Sequence, residues 1–148
     1  MQESLKRLNT TYLDAVYLHD VEFVADEVGS SSAAGYPMNA LEEANLESYG
    51  LNEDQVEKIH GDGDRAILRA FETLMQLKAE GVIRKAGMAA YPLPTLLRLS
   101  RLIKHHLGPV DIVQSYSHYN LQNSCLAAYV SLPLRSYSCI LFLTCVHV

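Results

Sequence analysis

Three short apolar runs alternate with two amphipathic segments, and this order constrains the fold of the chain more than any other feature. The runs span residues 12–20, 82–88 and 110–115. The first is rich in β-branched and aromatic residues, which is typical of a buried strand. An order of strand, helix, strand, helix, strand favours parallel βαβ units with right-handed crossovers. The sequence therefore predicts an α/β fold built on a parallel sheet.

A histidine, His19, stands at the end of the first predicted strand. The carboxyl ends of parallel strands form the active face of α/β proteins, so a polar residue there is placed for chemistry. The alternative for an isolated strand-end histidine is a hydrogen-bonded residue of the core. The preceding residues 4–11 resemble the end of an amphipathic helix, and Asn9 suits a left-handed cap.

The first amphipathic segment predicts a core-facing helix. Asp64 is the expected N-cap and Gly81 the expected left-handed residue just past the end. Apolar residues repeat at helical spacing between them: Ile67, Phe71, Leu74 and Leu77 or Lys78. Such a face is buried only if a sheet lies beneath it.

The second amphipathic segment opens at residues 92–95, where a proline is tolerated in the first helical turn. We expect Leu96, Leu99 or Ser100, and Ile103 to form its buried face. The polar side chains cluster toward the carboxyl end, where cations complement the helix dipole: Arg98, Arg101, Lys104, His105 and His106. This placement favours a capping role for the histidine pair over a metal site.

A long polar segment, at about residues 22–63, separates the first strand from the first helix. Loops of this length are usually functional lids or disordered insertions. The acidic residues between Glu22 and Asp64 suit a solvated segment, with a short helix at residues 41–46. We expect a disordered insertion, with a substrate-facing lid as the alternative.

Length and charge limit the function. A complete (β/α)8 barrel typically needs about 250 residues, so 148 residues are too few for a complete one. The net charge is −5 and no Lys/Arg run occurs, which argues against nucleic acid or an anionic membrane as a partner. The amino terminus lacks the apolar core of a signal peptide, so we expect a cytoplasmic protein.

The cysteines and the carboxyl-terminal tail give no ligand signature. Cys125, Cys139 and Cys145 form an odd set without metal-type spacing, and we interpret them as reduced thiols rather than as a disulfide or ligands. The apolar residues 139–146 are too short for a membrane span of about 20 residues. Their uncharged, proline-free character is instead that of an aggregation-prone segment.

Three stretches of the sequence resemble the aldo-keto reductase family. The first, residues 4–19, is Ser-Leu-Lys-Arg-Leu-Asn-Thr-Thr-Tyr-Leu-Asp-Ala-Val-Tyr-Leu-His, similar to an S-L-x-x-L-x-x-x-Y-x-D-x-x-x-x-H pattern at the family's fourth strand. Residues 81–94 and 111–123 resemble its fifth and sixth strands. The resemblance is greatest to the branch of the D-arabinose and L-galactose dehydrogenases.

The resemblance implies a partial (β/α)8 TIM barrel with about three parallel strands and flanking helices. Residues 1–129 would form the partial domain, interrupted by the insertion, and residues 130–148 a non-family apolar tail. The open edges of such a piece offer a route to self-association.

By resemblance, the family uses NAD or NADP, without metal, to reduce carbonyls or to oxidise alcohols and sugar hemiacetals. His19 matches the histidine that orients the substrate oxygen, and Gln114 matches the glutamine that binds the nicotinamide carboxamide. The family's serine and its neighbour on the fifth strand are replaced by Ala89 and Ala90, which cannot make that side-chain bond. Tyr116, Tyr119 and Asn120 follow Gln114 and are expected at the rim of the site.

The family's proton-transferring tyrosine, with its lysine and aspartate, belongs to strands that precede the first one here. Two interpretations therefore stay open. The chain is a fragment of an NAD(P)-dependent oxidoreductase acting on a sugar such as D-arabinose or on an aldehyde or ketone, or it is a catalytically inactive α/β remnant that only binds or pairs with a partner.

Overall fold

Four parallel strands form one sheet in a computed structural model that describes residues 1–28, 37–131 and 141–145. The strands lie in sequence order, so the first and last are its edges. They are β1 (Leu13–Leu18), β2 (Ile83–Ala90), β3 (Ile112–Tyr116) and β4 (Leu141–Cys145). The predicted parallel α/β architecture, a partial barrel sheet with flanking helices, is confirmed.

Four α-helices accompany these strands in the described residues: α1 (Gln2–Leu8), α2 (Asp62–Ala79), α3 (Leu93–His106) and α4 (Cys125–Ser131). Asn9 and Gly81 adopt left-handed conformations just past α1 and α2, with φ of 50° and 76°, as the sequence predicts. No described helix is long and apolar enough to cross a membrane.

The main core lies between α2, α3 and one face of the sheet. Phe71 and Ile67 of α2, Leu99 and Ile103 of α3, and Met88 of β2 are all buried in this cluster. Each such side chain contributes about 1.5–3 kcal/mol relative to exposure. The helical spacing of apolar residues therefore identified the correct faces of both helices.

The strand β4 comes from the tail for which no strand was predicted. It pairs parallel with β3 in a register that runs from Ile112–Leu141 to Tyr116–Cys145. An apolar run without charge or proline can satisfy its backbone hydrogen bonds at an open strand edge, which explains its addition. The expected number of about three strands is thus extended by one.

Residues 37–55 are ordered where the sequence predicted a disordered insertion. They form four short 3₁₀ helices: Pro37–Leu41, Glu43–Asn45, Glu47–Tyr49 and Glu53–Gln55. Ala40 and Leu51 are buried in a second apolar cluster with Leu97 of α3 and Tyr129 of α4. The insertion folds because it covers apolar surface on those helices; residues 29–36, also in the predicted insertion, lie outside the described residues.

Asp64 is a buried ion-pair partner and not the N-cap of α2, which is Gly61. Its carboxylate accepts two hydrogen bonds from Arg98, at 2.7 and 2.9 Å, and two more from the backbone N–H groups of Asp26 and His60. Burial alone would raise the pKa of Asp64, but Arg98 and the backbone donors hold that pKa below its usual value. Arg98, which the sequence grouped with the polar side chains toward the carboxyl end of α3, is instead buried, because this carboxylate compensates its charge.

The histidine pair at the end of α3 contacts the insertion. His106 Nε2 lies 3.0 Å from the Glu57 carbonyl oxygen, and His105 Nε2 lies 3.5 Å from the Glu57 carboxylate. The rings therefore tie the helix end to residue 57 of the insertion, a contact that the helix-capping interpretation did not include.

Candidate active site

The register of the strands, when it is extended by one residue beyond β1, sets the two predicted site residues on one row of the sheet. Leu18 pairs with Met88, and Ala89 pairs with Gln114. Continuing the β1 register by one residue places His19 opposite Ala89. Because side chains alternate along a strand and Met88 faces the helices, the row His19–Ala89–Gln114 belongs to the opposite face. This row lies near the carboxyl ends of β1, β2 and β3.

His19 is exposed and is oriented by its neighbour. Its side chain is 74% accessible, and its Nδ1 lies 2.8 Å from Asp20 Oδ1. Asp20 takes a left-handed conformation with φ of 54°, which turns the chain directly after the strand. A carboxylate at Nδ1 favours the tautomer with the proton there, which leaves Nε2 as an acceptor suited to a substrate hydroxyl group.

Gln114 lies within β3 and is partly buried. Its amide can offer two donors and one acceptor, the set that a carboxamide ligand requires. The neighbouring Ala89 is 4% exposed and has no polar side-chain atom. Of these two neighbouring residues, only Gln114 can therefore offer a side-chain hydrogen bond to a nicotinamide carboxamide.

Tyr17 packs closely against a glycine, Gly87, on the same face of the sheet, two residues before this row along each strand. A Cβ added to Gly87 would lie 2.7 Å from the Ile112 carbonyl oxygen and 2.9 Å from Tyr17 Cδ1. The absence of a side chain at Gly87 lets the Tyr17 ring approach β2. Burial raises the pKa of Tyr17, so its hydroxyl stays protonated at neutral pH.

Tyr91, directly after β2, joins the exits of three strands. Its N–H donates to Glu22 Oε1 at 2.8 Å, and its carbonyl accepts from Ser115 Oγ at 3.3 Å. Ser115 Oγ also lies 2.7 Å from Nδ1 of the buried His118. The Tyr91 ring packs on the rings of Tyr116 and His118, with centroids 6.3 and 4.8 Å apart.

Sequence reasoning missed Tyr91, Ser115 and His118, although it placed Tyr116 at the rim. The rule that singled out His19, a polar side chain just past a strand, also applies to Tyr91. Burial lowers the pKa of His118, which favours the neutral ring beside the Ser115 hydroxyl. We interpret the Ser115–His118 pair as structural, because its hydrogen bonds link the ends of β2 and β3.

A cleft and a buried cysteine lie apart from this row. A cleft of about 300 Å³ separates the β1 exit from the start of α3, and neither His19 nor Gln114 lines it. Within the part of the chain that the structure describes, no group of three His, Cys, Asp or Glu side chains could hold a metal ion. Cys125 is a buried free thiol; Cys139 and the side chain of Cys145 are outside the description.

Fold and site together define a parallel α/β unit in which polar and aromatic residues gather at the carboxyl ends of the strands. The sequence profile described as "Aldo/keto reductase family" matches residues 1–131. The chain belongs to this family, as its motifs indicate.

Two named relatives are similar in sequence over most of this chain. D-arabinose 1-dehydrogenase of Saccharomyces cerevisiae (strain ATCC 204508 / S288c) is 31% identical over 139 residues, which cover 92% of this chain and 30% of the relative. L-galactose dehydrogenase of Arabidopsis thaliana is 25% identical over 126 residues, which cover 85% of this chain and 27% of the relative. The chain thus spans less than a third of the length of these relatives.

Proposed function

We propose that this chain carries part of an oxidoreductase site at which an aldose such as D-arabinose is oxidised, or an aldehyde or ketone reduced, with NAD or NADP. The proposal is carried by the pairing of Ala89 with Gln114 and by the extension of the β1 register by one residue, which sets His19 opposite Ala89 just past the end of β1. Membership of the aldo/keto reductase family and the names of the two relatives support it.

Each residue of the row has a distinct role in this proposal. His19, held at Nδ1 by Asp20, accepts a hydrogen bond at Nε2 from the substrate hydroxyl group that is oxidised and thereby orients it. Gln114 binds the carboxamide of the nicotinamide and thereby fixes the face of that ring. The small Ala89 side chain leaves space between the two. When bound, the nicotinamide supplies the position that takes up or delivers hydride.

Proton transfer needs a group beyond this row. By resemblance, that group is a tyrosine on a strand that comes earlier in the family's barrel than β1. Tyr12 and Tyr17 do not replace it, because both precede His19 in its own strand segment. General acid–base assistance is worth about 10²- to 10⁴-fold in rate, so activity requires that group from elsewhere.

A pairing module is the second candidate, and the exposed edge of β1 favours it. The strand order leaves β1 with one neighbour, β2, in the described sheet. An edge strand offers unpaired N–H and C=O groups to another strand. In this alternative the chain binds a complementary strand and performs no chemistry of its own.

Cofactor binding is the first experiment. NADPH and NADH are titrated into the purified chain while nicotinamide fluorescence is recorded. Replacing Gln114 with Leu removes the amide and should weaken binding by about tenfold, the equivalent of about 1.4 kcal/mol. The control Gln76→Leu changes the same residue type on the exposed side of α2 and should leave binding unchanged.

Turnover is the second experiment. A longer product of the same gene that includes the proton-transferring group is assayed for NAD(P)+-dependent oxidation of D-arabinose. His19→Gln should lower kcat by about 10²-fold or more, whereas His105→Gln at the end of α3 should not. Cofactor binding indifferent to Gln114, or turnover indifferent to His19, would contradict the proposal and favour the pairing module.

A further inference from the structure

His19 lies just beyond the paired part of β1. The last residue pair between β1 and β2 is Leu18 with Met88, so the register ends one residue before the histidine. The His19 side chain is also 74% accessible. Neither strand pairing nor burial therefore fixes the position of the ring, although a residue that orients a substrate has to be held in place.

Glu22, three residues further along, joins the exit of β1 to the exit of β2. Its Oε1 accepts a hydrogen bond of 2.8 Å from the backbone N–H of Tyr91, directly after β2. The Tyr91 carbonyl in turn accepts a hydrogen bond from Ser115 Oγ, and Ser115 follows Gln114 in β3. The main-chain groups of one residue thus link the segment that carries His19 to the strand that carries Gln114.

The chain turns tightly between the end of β1 and Glu22. Asp20 adopts a left-handed conformation with φ of 54°, and its carbonyl accepts a hydrogen bond of 3.1 Å from the Phe23 N–H. A left-handed conformation is uncommon for a residue other than glycine and persists where the surrounding contacts fix it. In this conformation the Asp20 carboxylate lies 2.8 Å from His19 Nδ1. The orientation of the His19 ring therefore depends on the turn that Glu22 fastens.

The Glu22 carboxylate is placed for its contact with Tyr91 rather than for solvation. Its Oε2 is buried and has no hydrogen-bond partner within the described residues, which is a costly state for a carboxylate oxygen. The neighbouring Val21 packs in the main core and anchors the turn there, whereas Glu22 anchors it to β2. Because Oε2 is inaccessible and Oε1 is bonded to Tyr91, Glu22 acts on a ligand through the residues that it holds.

We propose that Glu22 is a positioning residue for His19. By accepting the Tyr91 N–H, it fastens the turn after β1 to the exit of β2 and thereby holds the His19 ring on the row of Gln114. This inference rests on the proposed function, in which His19 orients the substrate hydroxyl group, and adds the residue that maintains that orientation. The place of the acceptor oxygen of Glu22, and not its charge, carries the effect.

Two substitutions of Glu22 separate its acceptor oxygen from its charge. Glu22→Asp keeps the charge but shortens the side chain, which withdraws the oxygen from the Tyr91 N–H. Glu22→Gln removes the charge but keeps an oxygen acceptor at the same reach. The control Glu27→Asp makes the same exchange at an exposed residue. Circular dichroism confirms that each variant is folded; if Glu22→Asp is not, Glu22→Ala takes its place.

The first measurement reports the orientation of the His19 ring in the whole chain, without turnover. Imidazole nitrogen chemical shifts are recorded by NMR at mildly alkaline pH, where imidazole is neutral, and His19→Gln identifies the signals of this ring. The wild-type chain, Glu22→Gln and Glu27→Asp should show the tautomer with the proton on Nδ1. Glu22→Asp should move both nitrogen shifts toward the average of the two tautomers, because Asp20 no longer stays beside Nδ1.

The second measurement is turnover by the longer product that includes the proton-transferring group. Glu22→Asp should lower kcat for D-arabinose oxidation by about tenfold or more, because a misplacement of about 1 Å can cost about 10²-fold. Glu22→Gln should retain kcat within about threefold, and the KM for the cofactor should not change in either variant. In a His19→Gln background, Glu22→Asp should cost less than about twofold more, because residues that act through one another are not additive.

Three results would overturn the inference: His19 nitrogen shifts that Glu22→Asp leaves unchanged, shifts that Glu22→Gln alters as much as Glu22→Asp, or kcat losses of Glu22→Asp and His19→Gln that simply multiply. Failure of the proposed function gives a different result. If the His19 ring responds to Glu22→Asp but turnover is absent or indifferent to His19, only the proposed function is refuted. Turnover that depends on His19 and is indifferent to Glu22 refutes only this inference.

Discussion

Replacement of Arg98 by Met should destabilise the chain more than any comparable change at the surface. The side chains of Arg98 and Asp64 are only 5% and 0% accessible. The substitution removes two guanidinium–carboxylate hydrogen bonds and a third, of 3.0 Å, to the Asp26 carbonyl. Met fills much of the same volume, so lost packing contributes little.

The expected cost follows from the carboxylate that stays behind. After Arg98→Met, Asp64 keeps two backbone donors, from Asp26 and His60, but no cation. Breaking a buried ion pair on one side costs about 3–5 kcal/mol, because an uncompensated charge remains in the core. Domains are typically stable by about 5–15 kcal/mol, so the variant should lie near the limit of folding.

Urea unfolding, followed by circular dichroism, measures this difference. The control is Arg65→Met on α2, because Arg65 pairs with Asp62 at 3.1 Å in an exposed position. An exposed pair is worth about 0–1 kcal/mol. A loss below about 1 kcal/mol for Arg98→Met, equal to the control, would refute the reasoning.

The same pair sets an acid dependence of stability. The pKa of Asp64 lies below its ordinary value in the folded state, so its contribution is present above the unfolded pKa of about 3.9. That contribution is lost as the pH falls through the lower folded value. The stability difference between the wild-type chain and Arg98→Met should therefore shrink in acid; a difference that grows below about pH 4 would contradict this.

Three further changes test other features. Gly87→Ala should cost about 1–3 kcal/mol in thermal unfolding, because its Cβ would lie 2.7 Å from the Ile112 carbonyl oxygen; unchanged stability would contradict the close packing of Tyr17 on β2. Tyr129→Phe removes the hydroxyl that donates to the Pro37 carbonyl, and should speed proteolysis of the insertion, measured by limited digestion and mass spectrometry. Open strand edges should cause concentration-dependent association in sedimentation velocity, which a monomer with a cooperative unfolding transition would exclude.

The parts of the fold that local patterns encode were predictable from sequence. Leu96, Leu99 and Ile103 repeat at helical spacing and form the buried face of α3, because the period alone identifies an apolar side. The left-handed ends at Asn9 and Gly81 follow from the backbone preferences of those residue types. The parallel sheet follows from the alternation of strands and helices.

Features that depend on distant partners were not predictable in the same way. The burial of Arg98 requires a carboxylate from Asp64, which lies 34 positions away. Tyr91 gains its importance from Glu22 and Ser115, contributed by two other strand exits. The periodicity of a local segment does not indicate such contacts, because they join residues that are far apart in the sequence.

At the candidate site, motif spacing placed His19 and Gln114, and extending the sheet register by one residue beyond β1 sets them on one row. Their roles in substrate and cofactor binding stay predictions. The aromatic arrangement beyond them emerged only in three dimensions, since Tyr91 lies far along the chain from Tyr116. The domain boundaries at residues 1–129 and 130–148 likewise stay a prediction.

The second apolar cluster has a consequence for anyone who would shorten this chain. Ordinary surface loops tolerate deletion, but residues 37–55 cover Leu93 and Leu97 of α3 and Leu126 of α4. Replacing the insertion with a tight turn would expose apolar surface along two helices and promote aggregation of the protein. A shortened variant designed on the assumption that this segment is dispensable would therefore lose part of the apolar core. Transfer of the segment to another protein would require the matching helix surface.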